Sequence, residues 1–135
     1  MQKKETIKRL LISIIIPVFN TEEKYLRKCL KPFLQNYDPR IEIILVDDGS
    51  TDESITNALA EVEKEHFTEY KLVRQENKGL GEARNVGLSR VDTPFVGFLD
   101  SDDWLNLKYV ECFVKLLETV DEIPDMIFTL PWVYD

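Results

Sequence analysis

The chain has 135 residues, 44% hydrophobic and 31% charged, which suits one globular domain and excludes a disordered or collagen-like polymer. Lys and Arg number 17 against 25 Asp and Glu, a net charge of −8, the reverse of the basic excess that nucleic-acid binders use to neutralise phosphates. An acidic chain that handles phosphorylated small molecules must hold them through a metal ion, backbone N–H groups or a few well-placed cations.

Lys3, Lys4, Lys8 and Arg9 precede an apolar run, residues 10–18, of signal-segment length. Ser13 interrupts that run, and Pro17-Val18-Phe19-Asn20 stands where a small-residue cleavage site would lie. A strand over 11–16, buried on both faces, explains it better. A helix over 22–35 follows, with Leu26, Cys29, Leu30, Phe33 and Leu34 on one face and Asn20 or Thr21 as N-cap; Pro32 kinks it or marks its last turn. Residues 41–46 form a second strand. Ser50 and Glu53 have capping-box spacing before a helix that turns Ile55, Ala58, Leu59 and Val62 inward.

A shorter strand over 70–75 leads to a helix over 79–89 that places Leu80, Ala83 and Leu88 inward. A strand over 94–99, a helix over 107–119 with Val110, Phe113, Val114 and Leu117 inward, and a fifth strand over 126–130 complete the series. Such β-α alternation implies an α/β fold, a mostly parallel, doubly wound sheet with helices on both faces and ligands at the carboxyl ends of the strands. The chain stops directly after that last apolar strand, so it is expected to be the front part of a longer domain. No segment approaches the roughly 20 apolar residues that span a bilayer, and the sequence reads as cytoplasmic.

Three strand ends carry polar clusters: Pro17-Val18-Phe19-Asn20, then Asp47-Asp48-Gly49-Ser50-Thr51-Asp52, then Asp100-Ser101-Asp102-Asp103-Trp104. A parallel sheet puts all three on one edge, so five or six carboxylates would share a crevice and raise each other's pKa unless a cation compensates. The second cluster also reads as an ordinary turn and cap. The third follows a wholly apolar strand, and its Asp-x-Asp spacing lets two carboxylates point the same way and bridge a divalent ion to phosphate oxygens. With His66 the only histidine, carboxylates are the plentiful ligands, favouring Mg2+ or Mn2+. His66 itself reads as a solvated loop residue. Cys29 and Cys112 sit far apart in apolar helical patterns and read as two buried thiols. Between the acidic clusters, Gly79-Leu80-Gly81 offers backbone N–H groups at a helix start, with Lys78 and Arg84 as nearby cations. The Gly-x-Gly-x-x-Gly and Gly-Lys-Ser/Thr signatures are absent.

The ordered series Ile14-Ile15-Ile16-Pro17-Val18-Phe19-Asn20, Val46-Asp47-Asp48-Gly49-Ser50-Thr51-Asp52, Asn77-Lys78-Gly79 with Ala83-Arg84-Asn85-Val86-Gly87, and Phe98-Leu99-Asp100-Ser101-Asp102-Asp103 resembles the inverting family 2 glycosyltransferases of the GT-A fold, over roughly residues 12–130. That resemblance implies a Rossmann-like GT-A architecture, with residues 1–135 as its donor-binding portion and a nucleotide-diphospho-sugar, a UDP-sugar by preference, as donor. It implies that Pro17, Val18 and Asn20 line the nucleotide pocket with Glu22 close by. Asp48, or its neighbour Asp47, would accept the base ring N–H. Arg84, Lys78 and Gly79 would sit near the diphosphate.

Asp100, Ser101 and Asp102 would form the Asp-x-Asp element around Mn2+ or Mg2+, with Asp102 the direct ligand and Asp103 a candidate if the turn shifts by one. The acceptor, a saccharide, lipid-linked molecule or protein, is not readable. Polysaccharide synthesis for the cell envelope, peripheral to the inner face of the membrane, is the implied setting. The family's catalytic base belongs to a later segment; Glu118, Asp121 and Glu122 are poor substitutes, so transfer by these residues alone should be absent or weak. A non-catalytic nucleotide-sugar-binding module is the alternative. A receiver-type signalling domain places its acids after other strands, and a dinucleotide oxidoreductase would carry glycines where Pro17-Val18-Phe19-Asn20 stands.

Overall fold

A computed structural model describes residues 10–36, 38–64 and 69–127. They fall into two compact units, Met1–Leu105 and Asn106–Asp135. The first holds β1 (Ile12–Val18), α1 (Glu23–Gln35), β2 (Ile41–Asp47), α2 (Glu53–Lys64), β3 (Glu69–Arg74), α3 (Leu80–Leu88) and β4 (Phe95–Phe98); the second holds α4 (Lys108–Thr119). His66 and residues 128–130 of the expected fifth strand lie outside the described residues, and Met126 and Ile127 are not in a strand. Among the described residues no helix is long and apolar enough to cross a membrane.

The strands form a parallel sheet in the order β3-β2-β1-β4. Every residue of β1 and β2 is buried, as their near-continuous Ile, Leu and Val runs require. Ile15, Ile44 and Val46 share one face, where they pack with Ala83, Val86 and Val91. Ile14, Ile16, Ile43 and Leu45 alternate to the opposite face and are equally buried. Their cover is the α1–α2 pair, which buries Leu26, Leu30, Phe33, Ile55, Leu59 and Val62.

The amino ends of the strands are held by polar side chains. Buried Ser13 donates to Glu42 at 2.8 Å and meets Thr93 at 2.8 Å, and Lys71 pairs with Glu42 at 3.1 Å. Burial works against the Lys71 charge, but its bonds to Glu42 and Asp92 outweigh that and hold its pKa above the usual lysine value.

Several local features differ from the sequence reading. Helix α2 is capped by Asp52, whose carboxylate accepts the Ser54 N–H at 2.9 Å, and not by Ser50. The N-cap of α1 is Glu22, which makes no side-chain cap bond. Pro32 lies in the last turn of α1, where little of the hydrogen-bond ladder remains to be lost. Cys29 is buried but Cys112 is exposed, because α4 buries Val110 and Phe113 and leaves position 112 off that face.

On α3 the inward residues are Ala83 and Gly87, while Leu80 and Leu88 are exposed. The cause is the closeness of α3 to β1: a Cβ at Gly87 would lie 2.5 Å from Cγ2 of Ile15. Only small residues fit beneath this helix.

Gly87→Ala is therefore expected to destabilise the chain by about 1–3 kcal/mol through overpacking. Gly81→Ala, on the same helix with open space around it, should stabilise by about 0.5–1 kcal/mol. Urea denaturation of the two variants checks the contrast.

Candidate functional site

Strand order makes the site. The chain steps from β1 to β2 to β3 in one direction and then returns to the other side of β1 as β4. The carboxyl ends of β1 and β4 therefore feed loops that diverge, and a crevice opens between them. A cavity of about 650 Å³ lies there, walled by Pro17, Val18, Phe19, Thr21, Glu22 and Tyr25 from β1 to α1, Asp48 from β2, Asn77, Gly79, Leu80 and Ala83 from the start of α3, and Asp100, Ser101 and Asp102 beyond β4.

Asp48 is 3% exposed and accepts three N–H donors: Gln75 Nε2 at 2.9 Å, Lys78 N at 2.9 Å and Gly79 N at 3.0 Å. Burial alone would raise its pKa, but those bonds and the Lys78 charge prevail and hold it below the usual carboxylate range. Asp48 is thus an ionised acceptor that also fixes the turn into α3. Gly49 is required beside it: its φ is +80°, and a Cβ there would come 2.7 Å from the Asn77 nitrogen. Asp47 serves the neighbouring loop, its carboxylate accepting Ser50 N at 3.0 Å, and is not on the cavity wall.

Asn20 is also off the wall. It adopts φ 46°, and its Oδ1 accepts the N–H groups of Thr51 at 2.9 Å and Asp52 at 3.1 Å, while Ser50 Oγ accepts the Asn20 N–H at 3.0 Å. Asn tolerates this left-handed conformation better than most residues. It clamps the β1 loop to the β2 loop and thereby sets the path of Phe19 along the cavity.

The acidic turn after β4 is fastened from beneath. Thr21 and Ser101 share a 2.5 Å hydroxyl contact, Asp103 N donates to Asp100 O at 3.0 Å, and the Cys29 thiol approaches Asp100 O at 3.7 Å. Asp100, Asp102 and Asp103 are exposed and can offer one oxygen each within 4.8 Å of one another. Local desolvation and the charges of Asp102 and Asp100 hold Asp103 above the usual carboxylate range. Burial, with the same three carboxylates, pushes the Cys29 thiol up to about 12, so it stays protonated at neutral pH. An all-carboxylate set matches the chemistry of a hard divalent cation.

Arg84 Nη2 reaches Asp100 Oδ1 at 3.0 Å, while its Nε is buried without a hydrogen-bond partner, a state that costs about 1–3 kcal/mol. Arg84 and Lys78 are not among the residues that line the cavity, although their chain neighbours Ala83 and Gly79 are. The expected crevice of five or six carboxylates is thus divided: Asp48, Asp100 and Asp102 face the cavity, Asp103 joins the exposed cluster, and Asp47 and Asp52 serve loop and cap. Tyr25, Thr21 and Leu80 also line the cavity: Tyr25 has no sequence signal, Thr21 reads as an N-cap candidate, and Leu80 reads as an inward helix residue at the Gly79-Leu80-Gly81 helix start. Phe19 and Asn77 stood inside motifs but had no assigned role.

Because the folded pKa of Asp48 is depressed, its contribution to stability is present above the unfolded value near 3.8 and is lost as pH falls through the folded value. Asp48→Asn should cost about 1–3 kcal/mol at pH 7, with the gap from wild type closing below pH 3.8. Urea titrations across pH measure this directly.

Comparison with known proteins agrees with the geometry. The family described as glycosyl transferase family 2 matches residues 13–127. Glycosyltransferase GlyA of Streptococcus pneumoniae serotype 4 (strain ATCC BAA-334 / TIGR4) is 44% identical over 104 residues, which are 77% of this chain and 14% of that protein. The crystal structure of S. aureus TarS 1-349 in complex with UDP-GlcNAc superposes with a TM-score of 0.69 at 29% identity, covering 81% of this chain and 31% of that one. The TarS 1-349 complex with UDP gives 0.64 at 29% identity, covering 79% and 32%. The chain therefore spans about a third or less of the length of these relatives. Its parallel sheet order, its crevice at the β1–β4 divergence and these matches together place the chain in glycosyl transferase family 2, with the GT-A fold.

Proposed function

We propose that these residues are the donor-binding portion of an inverting glycosyltransferase. The donor is a nucleotide-diphospho-sugar, a UDP-sugar by preference. The acceptor is a saccharide, lipid-linked or protein molecule in envelope polysaccharide synthesis, and the setting is the cytoplasmic face of the membrane. The observation that carries the reading is the single cavity wall that joins ionised Asp48 at one end to Asp100 and Asp102 at the other. One end suits a base and the other a diphosphate. The UDP-GlcNAc and UDP complexes of TarS support the same donor class.

Asp48 has its Oδ1 engaged twice and its Oδ2 once, which leaves Oδ2 a free acceptor site. A carboxylate there takes the ring N–H of uracil and rejects bases that present only an acceptor at that position. Pro17, Val18 and Phe19 supply apolar wall, with Glu22 and Tyr25 at the α1 end. The first-turn N–H groups of α3 have no partner within the helix, and with Lys78 and Arg84 they offer positive potential to phosphate oxygens. Asp100, Asp102 and Asp103 would hold Mn2+ or Mg2+. When bound, that ion supplies Lewis-acid stabilisation of charge on the departing nucleoside diphosphate. The chain's own residues bind and orient the donor; no side chain on the cavity wall is assigned as the base that deprotonates the acceptor.

Calorimetric titration of UDP should show binding with Mn2+ that is lost in EDTA, and Asp102→Ala should remove the Mn2+-dependent part while leaving the melting temperature in place. Equal UDP affinity with Mn2+ and with EDTA would overturn the metal assignment.

A further inference from the structure

We propose that Arg84 is the resident counter-ion of the acidic turn in the donor-free chain, and that it competes with the divalent cation for Asp100, so that cation and nucleoside diphosphate bind as a pair. The inference rests on the metal reading above and assigns Arg84 a positioning role within it. Three carboxylates that can bring oxygens within 4.8 Å of one another repel, and among the described residues the cation paired with them is Arg84, at 3.0 Å from Asp100 Oδ1. A guanidinium does not lose its proton at accessible pH, so it can vacate Asp100 only by moving.

The second observation concerns the nitrogen beside Nη2 on the same guanidinium edge. Arg84 Nε is the one buried side-chain nitrogen or oxygen without a hydrogen-bond partner among the described residues. The Nε–Nη2 fork is built to bind two anionic oxygens side by side, yet here its Nη2 meets one carboxylate oxygen and its Nε none. A divalent cation arriving alone competes with this pairing for the Asp100 carboxylate and weakens the hold of that carboxylate on the guanidinium. A cation arriving with a nucleoside diphosphate brings phosphate oxygens that satisfy the displaced fork, Nε included. Arg84 thus makes the two ligands mutually dependent, and the dependence is reciprocal by linkage.

The test titrates Mn2+ into the 135-residue chain and into Arg84→Gln, each with and without UDP, following free Mn2+ by electron paramagnetic resonance and the fold by melting temperature. In Arg84→Gln, Mn2+ alone should bind about threefold tighter, as expected on losing one exposed competing charge. UDP at saturating Mn2+ should bind about tenfold more weakly, as expected on losing a charge-assisted fork. Arg84→Lys, which keeps the charge, should leave the affinity for Mn2+ alone near that of wild type. A folded Arg84→Gln that binds Mn2+ alone no tighter than wild type overturns the proposal, as does a lysine variant that behaves like glutamine.

One measurement needs no variant: in the wild-type chain UDP must tighten Mn2+ binding, and independent binding of the two overturns the pairing. If wild type binds no Mn2+ even with UDP, the metal reading falls and this proposal with it. If wild type binds both but Arg84→Gln is unchanged, only the role of Arg84 falls.

Discussion

The position of β1 between β2 and β4, parallel to both, is the constraint on which the chemistry depends. Parallel pairing sends the carboxyl ends of the strands to one edge, and the return from β3 to β4 across β1 divides that edge into loops that diverge. The burial that makes β1 central is the same burial that makes its sequence Ile-rich. A polar residue is tolerated there only at Ser13, where Glu42 and Thr93 receive it. The closeness of α3 to this strand, set by Gly87 against Ile15, brings the amino end of α3 to the rim of the cavity.

Charge at that rim is organised by unequal burial. Asp48 is inside and supplied with N–H donors, so it remains ionised at the cost of being tied to the Lys78–Gly79 turn. Asp100, Asp102 and Asp103 are outside, close together and mutually repelling, with Arg84 as their partial compensation. The two ends of the cavity therefore differ in kind: one is a fixed acceptor, the other an exposed anionic cluster suited to a cation. Thr21, Ser101 and the protonated Cys29 hold the second end from below.

Asn20 shows how a residue can belong to a site without facing it. Its side-chain oxygen is consumed by the Thr51 and Asp52 N–H groups just before α2, and its left-handed backbone turns the chain out of β1. Its place in the motif Pro17-Val18-Phe19-Asn20 fits the geometry of two loops joined edge to edge, and the other three members of that motif line the cavity.

The periodicities of the chain were enough to read the alternation of elements, the buried faces of α1 and α2 and the parallel sheet, because apolar spacing records which side of each element must leave water. The clusters at the strand ends were legible for a related reason: acids grouped directly after apolar strands are not explained by the apolar period of those strands. The tertiary structure decided what local patterns could not. Leu80 and Leu88 are outside because α3 lies too close to Ile15 for large side chains, a distance no helical period contains. Asp52 rather than Ser50 caps α2 because Ser50 is taken by Asn20, thirty residues away. Of two adjacent acids, Asp48 faces the cavity and Asp47 a loop, because Gln75, Lys78 and Gly79 arrive from β3 and α3 to receive one of them. Composition and spacing are local quantities, whereas the partner of a buried polar group is chosen by chain crossings, and only the folded chain brings those partners together.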